Sequence, residues 1–88
     1  MKEKSGLLEN HLKEKREETG IKIREIREQR GLSQEQLAEL MGINRSTLSK
    51  IETGKFAITI DYLFRLAWHL DFDIAILDKL YEKRKMDI

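Results

Sequence analysis

The sequence of 88 residues contains no cysteine and no proline, and its aromatic residues are one tryptophan, two tyrosines and three phenylalanines. The lack of cysteine excludes disulfide bonds, thiolate metal sites and thiol redox chemistry. Without proline, glycine must mark most turns and helix ends. No apolar run approaches the roughly 20 residues of a membrane-spanning helix, and the charged residues 1–15 lack the apolar stretch of a secretory signal. We therefore expect a cytoplasmic protein with a single domain and a small core.

An excess of one charge is also missing, because 17 basic and 16 acidic residues leave a formal net charge of +1. Basic residues outnumber acidic ones by seven to five in residues 21–55, and acidic residues lead by six to five in residues 56–88. Neither His11 nor His69 belongs to a metal-ligand motif. The sequence also lacks a nucleophile–base set and a glycine-rich phosphate loop. We expect no metal, no cofactor and no enzymatic activity.

Composition divides the chain into three regions. Residues 1–18 are rich in Lys and Glu and predict an N-terminal extension that is a frayed or solvent-exposed helix. Residues 19–71 carry the helical pattern of a folded domain. Residues 72–88 begin with alternating apolar residues that fit a short strand, although a fifth helix with Asp73 as its N-cap also fits. The predicted fold is all-α with four to five helices.

Capping residues define four helices within the domain. A first helix begins near Ile21, and Gln36 completes a capping box at the start of the second. The N-caps of the second, third and fourth helices are predicted to be Ser33, Asn44 and Thr59. The first three helices are predicted to end at Gly31, Gly42 and Gly54. The two middle helices are therefore short and separated by a tight turn.

Apolar residues at helical spacing predict which side of each helix faces the core. The second and third helices contribute Leu37, Leu40, Met41, Ile43, Leu48 and Ile51. The fourth helix contributes Ile60, Leu63, Phe64, Ala67 and Leu70. Trp68 lies off this stripe, and we therefore expect it at an intermolecular interface rather than in the core.

The segment "SQEQLAELMGINRSTLSKIETG" forms two short helices joined by a turn at Gly42, which is the pattern of a helix-turn-helix. Ala38 is small enough to let the two helices of the motif cross closely. The outer arc of the later helix of the motif, which follows Asn44, carries Arg45, Ser46, Ser49 and Lys50. In a helix-turn-helix, the N-terminal residues of this later helix enter the DNA major groove. The pattern therefore predicts a DNA-binding protein; a protein-interaction module that keeps the fold without binding DNA is the alternative.

The stretch "GIKIREIREQRGLSQEQLAELMGINRSTLSKIETGK" resembles the phage Cro/CI-type repressor domain of the XRE family. The resemblance covers about residues 19–70. It implies a lambda-repressor-like domain that binds double-stranded DNA. It also implies a repressor that binds a palindromic operator as a homodimer.

Residue roles follow from the same resemblance. It implies base-reading roles for Arg45, Ser46, Ser49 and Lys50. It implies contacts to the DNA backbone from Gln34, Asn44, Thr47, Thr53 and Lys55. Arg27 and Glu52 match a buried ion pair that joins the first helix to the recognition helix, and the helical wheel independently places Glu52 on the inner side.

The chain departs from the family pattern at Ile58, where proline is usual, and at Asp71, where glycine or a similar residue is usual. The following "FDIAILDK" is similar to HipB-like or HigA-like antitoxins, in which a short C-terminal strand can pair across the dimer. That similarity implies a toxin as a further partner. The predicted dimer interface consists of Trp68, Phe72, Ile74 and Ile76.

Overall fold

The computed structural model describes residues 2–80, with side chains from residue 7 onward, so residue 1 of the predicted extension and residues 81–88 of the predicted C-terminal region lie outside the described part. Its four helices are α1 (Lys2–Gln29), α2 (Gln34–Met41), α3 (Arg45–Glu52) and α4 (Ile60–Leu70). Residues 79 and 80 are also helical, and residues 2–80 contain no strand. The predicted all-α fold is confirmed. None of the described helices is long and apolar enough to span a membrane.

Helix α1 runs without a break through residue 19, where the sequence pattern separates an extension from the domain. The leucines of its N-terminal half are exposed. Gly20 is buried, and a Cβ atom there would lie 2.5 Å from the Ile51 carbonyl oxygen and 2.6 Å from that of Glu52. At Gly54, which has a φ of 76°, a Cβ atom would lie 2.7 Å from Cγ of Glu17. These two glycines let the backbone of α1 contact the C-terminal end of α3.

The predicted start of α2 is confirmed in detail. The Gln36 N–H donates to Ser33 Oγ at 3.1 Å, and the Ser33 N–H donates to Gln36 Oε1 at 2.8 Å, which completes the capping box. Gly42 follows α2 with a φ of 66°, a left-handed conformation that glycine adopts without steric cost. Arg65 on α4 donates to the Met41 carbonyl and so satisfies an orphan acceptor at the end of α2.

The core lies between the four helices and is built from the buried residues Ile23, Leu37, Ala38, Met41, Leu48, Ile51, Leu66 and Leu70. The prediction that Leu40 belongs to it was wrong, because Leu40 is 53% exposed. On so short a helix the buried arc runs from Leu37 through Met41 to Ala38. Leu40 lies about 100° from the centre of that arc.

The buried face of α4 differs from the predicted stripe. Leu66 is fully buried, whereas Ile60 and Phe64 are 67% and 52% exposed, which corrects their assignment to the core. Helix α4 packs on both α1 and α2, so its inner arc is centred on Leu63 and Leu70. Ile60 and Phe64 instead align with the exposed Trp68 at intervals of four residues. We call these three residues the α4 stripe.

Beyond α4 the chain forms neither the predicted strand nor a helix that starts at Asp73, because residues 72–78 have no regular secondary structure. Asp71 ends α4 with a φ of 58°, and Arg30 donates to the carbonyls of Leu70 at 2.8 Å and Asp71 at 3.2 Å. A lone strand leaves its backbone groups without partners. Pairing of this segment across a dimer therefore stays a prediction. In the earlier loop, Ile58 is half-buried against the core although the usual proline is missing.

Candidate nucleic-acid interface

Helix α3 presents one polar side to solvent and packs its other side into the core. Arg45, Ser46 and Lys50 are exposed and Ser49 is half-buried. With Gln34, three of them line a shallow surface depression: Arg45, Ser46 and Ser49. The opposite side of α3 consists of Leu48, Ile51 and Glu52, which are buried. Because the apolar side is fixed in the core, the predicted base-reading residues form a surface of defined orientation.

A buried ion pair attaches α3 to α1. Arg27 Nε donates to Glu52 Oε2 at 2.7 Å, and Arg27 Nη2 donates to Glu52 Oε1 at 3.1 Å. Arg27 Nη1 also donates to the Leu32 carbonyl at 2.7 Å. The hydrogen bond to Glu52, together with its negative charge, raises the pKa of Arg27 against the opposing effect of burial. Arg27 therefore stays charged, and the two-point contact fixes the relative orientation of the two helices.

Gln34 connects this buried pair to the surface. Its Nε2 donates to Glu52 Oε1 at 2.9 Å, while its Oε1 accepts a longer hydrogen bond of 3.4 Å from Arg45 Nε. A carboxylate only accepts hydrogen bonds, so the amide nitrogen of Gln34 must face Glu52 and its oxygen must face Arg45. The sequence of contacts Arg27–Glu52–Gln34–Arg45 runs from the core to the predicted DNA-facing surface. Arg45 Nη1 also lies 4.0 Å from Glu35 Oε1 at an exposed site.

The residues that the resemblance assigns to the DNA backbone differ in what their side chains already contact. Asn44 is exposed and occupies the N-cap position, but its side chain makes no capping hydrogen bond. The first N–H groups of a helix have no intrahelical partner; that of Thr47 donates to the Asn44 carbonyl at 3.1 Å, so those of Arg45 and Ser46 are the ones open to a phosphate. Lys55 is exposed, and Thr47 is half-buried on the flank of α3.

Thr53 is exposed at the end of α3, but its hydroxyl donates to the Ser49 carbonyl at 2.8 Å. Its backbone N–H is also bonded to that carbonyl, at 3.0 Å. The proton of the hydroxyl is therefore used within the helix. A phosphate contact from Thr53 would require that bond to break.

Three of the four residues predicted for the dimer interface lie together on the surface, and the fourth, Ile76, lies apart from them. Trp68, Phe72 and Ile74 line one groove, whose other lining residues are Phe64, Ala67, Asp71 and Asp73. Trp68 is 85% exposed, and Ile76, outside this groove, is 98% exposed. Phe64 was assigned to the core, and the spacing of four residues that it shares with Trp68 is the signal that could have placed it here.

Comparisons with known proteins agree with this geometry. Residues 23–77 match the model of the helix-turn-helix family. The chain is similar to the restriction-modification controller protein C.AhdI from Aeromonas hydrophila, with 37% sequence identity, coverage of 65% of this chain and 86% of that chain, and a TM-score of 0.62. No curated protein matches the sequence.

Proposed function

Because this chain belongs to the XRE-type helix-turn-helix family of DNA-binding transcriptional regulators, we propose that it is a repressor that binds a palindromic operator as a homodimer. The observation that carries this proposal is the outer arc of α3. This arc carries the exposed Arg45 and Lys50. Its orientation is fixed by the hydrogen bonds that Gln34 makes with Glu52 and Arg45. An enzymatic function has no support among these residues.

In this proposal the outer arc enters the major groove. Arg45 and Lys50 donate to base acceptors, and Ser46 and Ser49 supply short hydroxyl groups that suit either donors or acceptors. Neighbouring phosphates are bound by the open N–H groups at the start of α3 and by Lys55 after its end. Gln34 orients the Arg45 side chain toward the DNA major groove. Gln34, at the start of α2, also supports the predicted contact to the DNA backbone.

The homodimer in this proposal forms through the apolar surface at and after α4. The α4 stripe, the groove beside it and Ile76 provide exposed apolar area on one part of the molecule. A two-fold dimer places its two recognition helices on one side, so the half-sites should lie about one turn of DNA apart. Asp71 and Asp73 also line the groove, and exposed apolar surface rimmed by polar residues is typical of an interaction site.

The similarities of the chain support two alternative classes of regulated gene. The similarity to a controller protein supports genes of a restriction-modification system. The tail sequence similar to HipB-like or HigA-like antitoxins supports an operon that also encodes a toxin, which would be a second protein partner. The reading frame next to this gene distinguishes the two.

Footprinting on the DNA upstream of this gene tests the proposal. We expect a protected region with two-fold symmetry, and an affinity that falls steeply with salt because phosphate contacts release counterions. The double variant Arg45→Ala/Lys50→Ala should lose the footprint, whereas Lys15→Ala/Lys22→Ala, which removes the same charge from α1, should keep it. The absence of a two-fold footprint at every salt concentration would favour an interaction module without DNA binding.

A further inference from the structure

Apart from the buried Arg27, the Lys and Arg residues of α1 whose side chains the structure describes fall into two groups that differ in their contacts. On its outward sides, Lys15 pairs with Glu18 at 3.2 Å, Lys22 with Glu25 at 3.9 Å and Arg24 with Glu28 at 2.8 Å. The side chains of Lys13 and Arg16 form no ion pair or hydrogen bond with any other residue in the described range. Arg16 is half-buried and Lys13 is exposed. The side chains of Lys13 and Arg16 are therefore available to bind a partner outside the described residues.

Their position along α1 relates these two residues to α3. Lys13 and Arg16 precede Gly20 by seven and four residues, so all three lie on one side of the helix. Gly20 and, further along that side, Ile23 and Arg27 are buried against α3. Lys13 and Arg16 therefore continue the α3-facing side of α1 beyond the point where α3 ends.

The contact at Gly54 places this region beside Lys55. The Glu17 backbone lies so close to Gly54 that a Cβ atom there would be 2.8 Å from Cα and N of Glu17. Arg16 precedes Glu17, and Lys55 follows Gly54. The exposed Lys55 and the two unpaired residues of α1 thus lie around the C-terminal end of the proposed recognition helix. We call Lys13, Arg16 and Lys55 the basic strip.

We propose that the basic strip binds the phosphate backbone of double-stranded DNA beyond the bases that α3 contacts, so that α1 is itself part of the DNA interface. This inference rests on the proposed function. The occupant follows from charge complementarity, because the strip consists of cations without protein partners at the C-terminal end of α3, where the proposed function already assigns a phosphate contact to Lys55. Glu9 lies one turn before Lys13, and the Glu17 side chain lies against Gly54, so α1 contributes two phosphate contacts rather than a longer row.

The expected effect follows from counterion release. Each phosphate contact contributes about −0.9 to the slope of log K against log salt concentration. Loss of the two α1 contacts should reduce the magnitude of that slope by about 1.8 and weaken binding at 0.15 M salt by about fivefold per contact. The loss should be the same for the operator and for unrelated DNA, because phosphates carry no sequence information.

The experiment measures operator and unrelated-duplex affinities of the full chain as a function of salt, for the wild type and for Lys13→Ala/Arg16→Ala. The matched control is Lys15→Ala/Lys22→Ala, which removes the same net charge from the opposite side of α1, and circular dichroism checks that all proteins are folded. We expect the reduced slope only in Lys13→Ala/Arg16→Ala. If the wild type binds DNA and the two double variants have equal salt slopes, phosphate binding by the basic strip would be contradicted, while the proposed function would stand. A wild type that binds no DNA would overturn the proposed function as well.

Discussion

Helix α3, the proposed recognition helix, and the C-terminal segment 72–78 are similar in length and differ in what holds them. The inner side of α3 is buried, and α1, α2 and the turn before α2 contribute to the hydrogen-bond network around Glu52. Segment 72–78 has no regular secondary structure, and Ile76 and Leu77 within it are 98% and 68% exposed. Within residues 2–80, α3 is therefore held along its whole inner side, whereas in the C-terminal segment Phe72 packs against the core and Ile76 and Leu77 stay exposed.

This difference separates two steps of the proposed function. The proposed DNA-reading surface is formed within one chain, so its geometry does not depend on dimerisation. In the proposed homodimer, a second copy covers the surface around the α4 stripe. Variants that loosen α3 should therefore affect the folding of the monomer, and variants in segment 72–78 should affect assembly while the monomer stays folded.

The largest effect is expected from breaking the ion pair that holds α3. Glu52→Gln leaves the Arg27 guanidinium buried without its counter-charge, which costs about 3–5 kcal/mol of unfolding free energy. Glu18→Gln is the matched control, because Glu18 pairs with Lys15 at 3.2 Å on the surface, where a pair contributes about 0–1 kcal/mol. Urea denaturation measures both. Similar losses in the two variants would show that the buried pair does not hold α3.

The contact between α1 and α3 provides the next test. Gly20→Ala places a methyl group against two backbone carbonyls that cannot move independently, and we expect a loss of about 1–3 kcal/mol. Gly6→Ala has no atom within 4 Å of the new Cβ and should stabilise the helix by up to about 1 kcal/mol. The two substitutions are chemically identical, so opposite signs in thermal unfolding would isolate the close contact. A gain in both would contradict it.

The C-terminal segment should respond in assembly rather than in folding. Ile74→Pro removes one donor from the predicted strand pairing, and we expect dimer dissociation to become about tenfold easier, which corresponds to about 1.4 kcal/mol. Ile74→Val keeps the β-branched shape and should dimerise almost as the wild type does. Analytical ultracentrifugation measures both, together with truncations after residues 70 and 78. If the shorter truncation dimerises as tightly as the longer one, the segment is not part of the interface.

The smallest effect is expected at the end of α4. Asp71 adopts a φ of 58° that glycine tolerates better, so Asp71→Gly should raise the unfolding free energy by less than about 1 kcal/mol. Gly31 has a φ of 72° and nothing within 4 Å of a new Cβ, so Gly31→Ala should cost about 1–2 kcal/mol through backbone strain alone. A loss of stability in Asp71→Gly would show that the Asp71 side chain makes a contribution larger than this strain.

Local signals in the sequence predicted local structure well. The capping box of Ser33 and Gln36 and the left-handed glycines at 31 and 42 depend on neighbouring residues, and all are present in the structure. The burial of Leu40 and Phe64 was predicted wrongly because a short apolar pattern allows more than one helix face, and the neighbouring helices select between them. The contact at Gly20 depends on residues far along the chain and has no local signal.

The candidate DNA-binding surface shows the same contrast between local signals and contacts that depend on distant residues. The outer arc of α3 follows from helical periodicity alone, so Arg45 and Lys50 could be named from the sequence. The hydrogen bonds that join Gln34 to Glu52 and to Arg45 require the packing of α2 against α3, so periodicity could not provide them. The resemblance named Gln34, but only the structure shows which groups its amide contacts.

The most direct test of DNA reading by α3 is a comparison of operator affinities across a set of single base-pair substitutions for Arg45→Ala, Lys50→Ala and Lys55→Ala. Loss of a base contact should cost about 1–3 kcal/mol and remove the preference at one position of each half-site. We expect this for Arg45→Ala and Lys50→Ala, and a uniform loss across all sequences for Lys55→Ala. Equal and sequence-independent losses in all three variants would contradict base reading by the outer arc of α3.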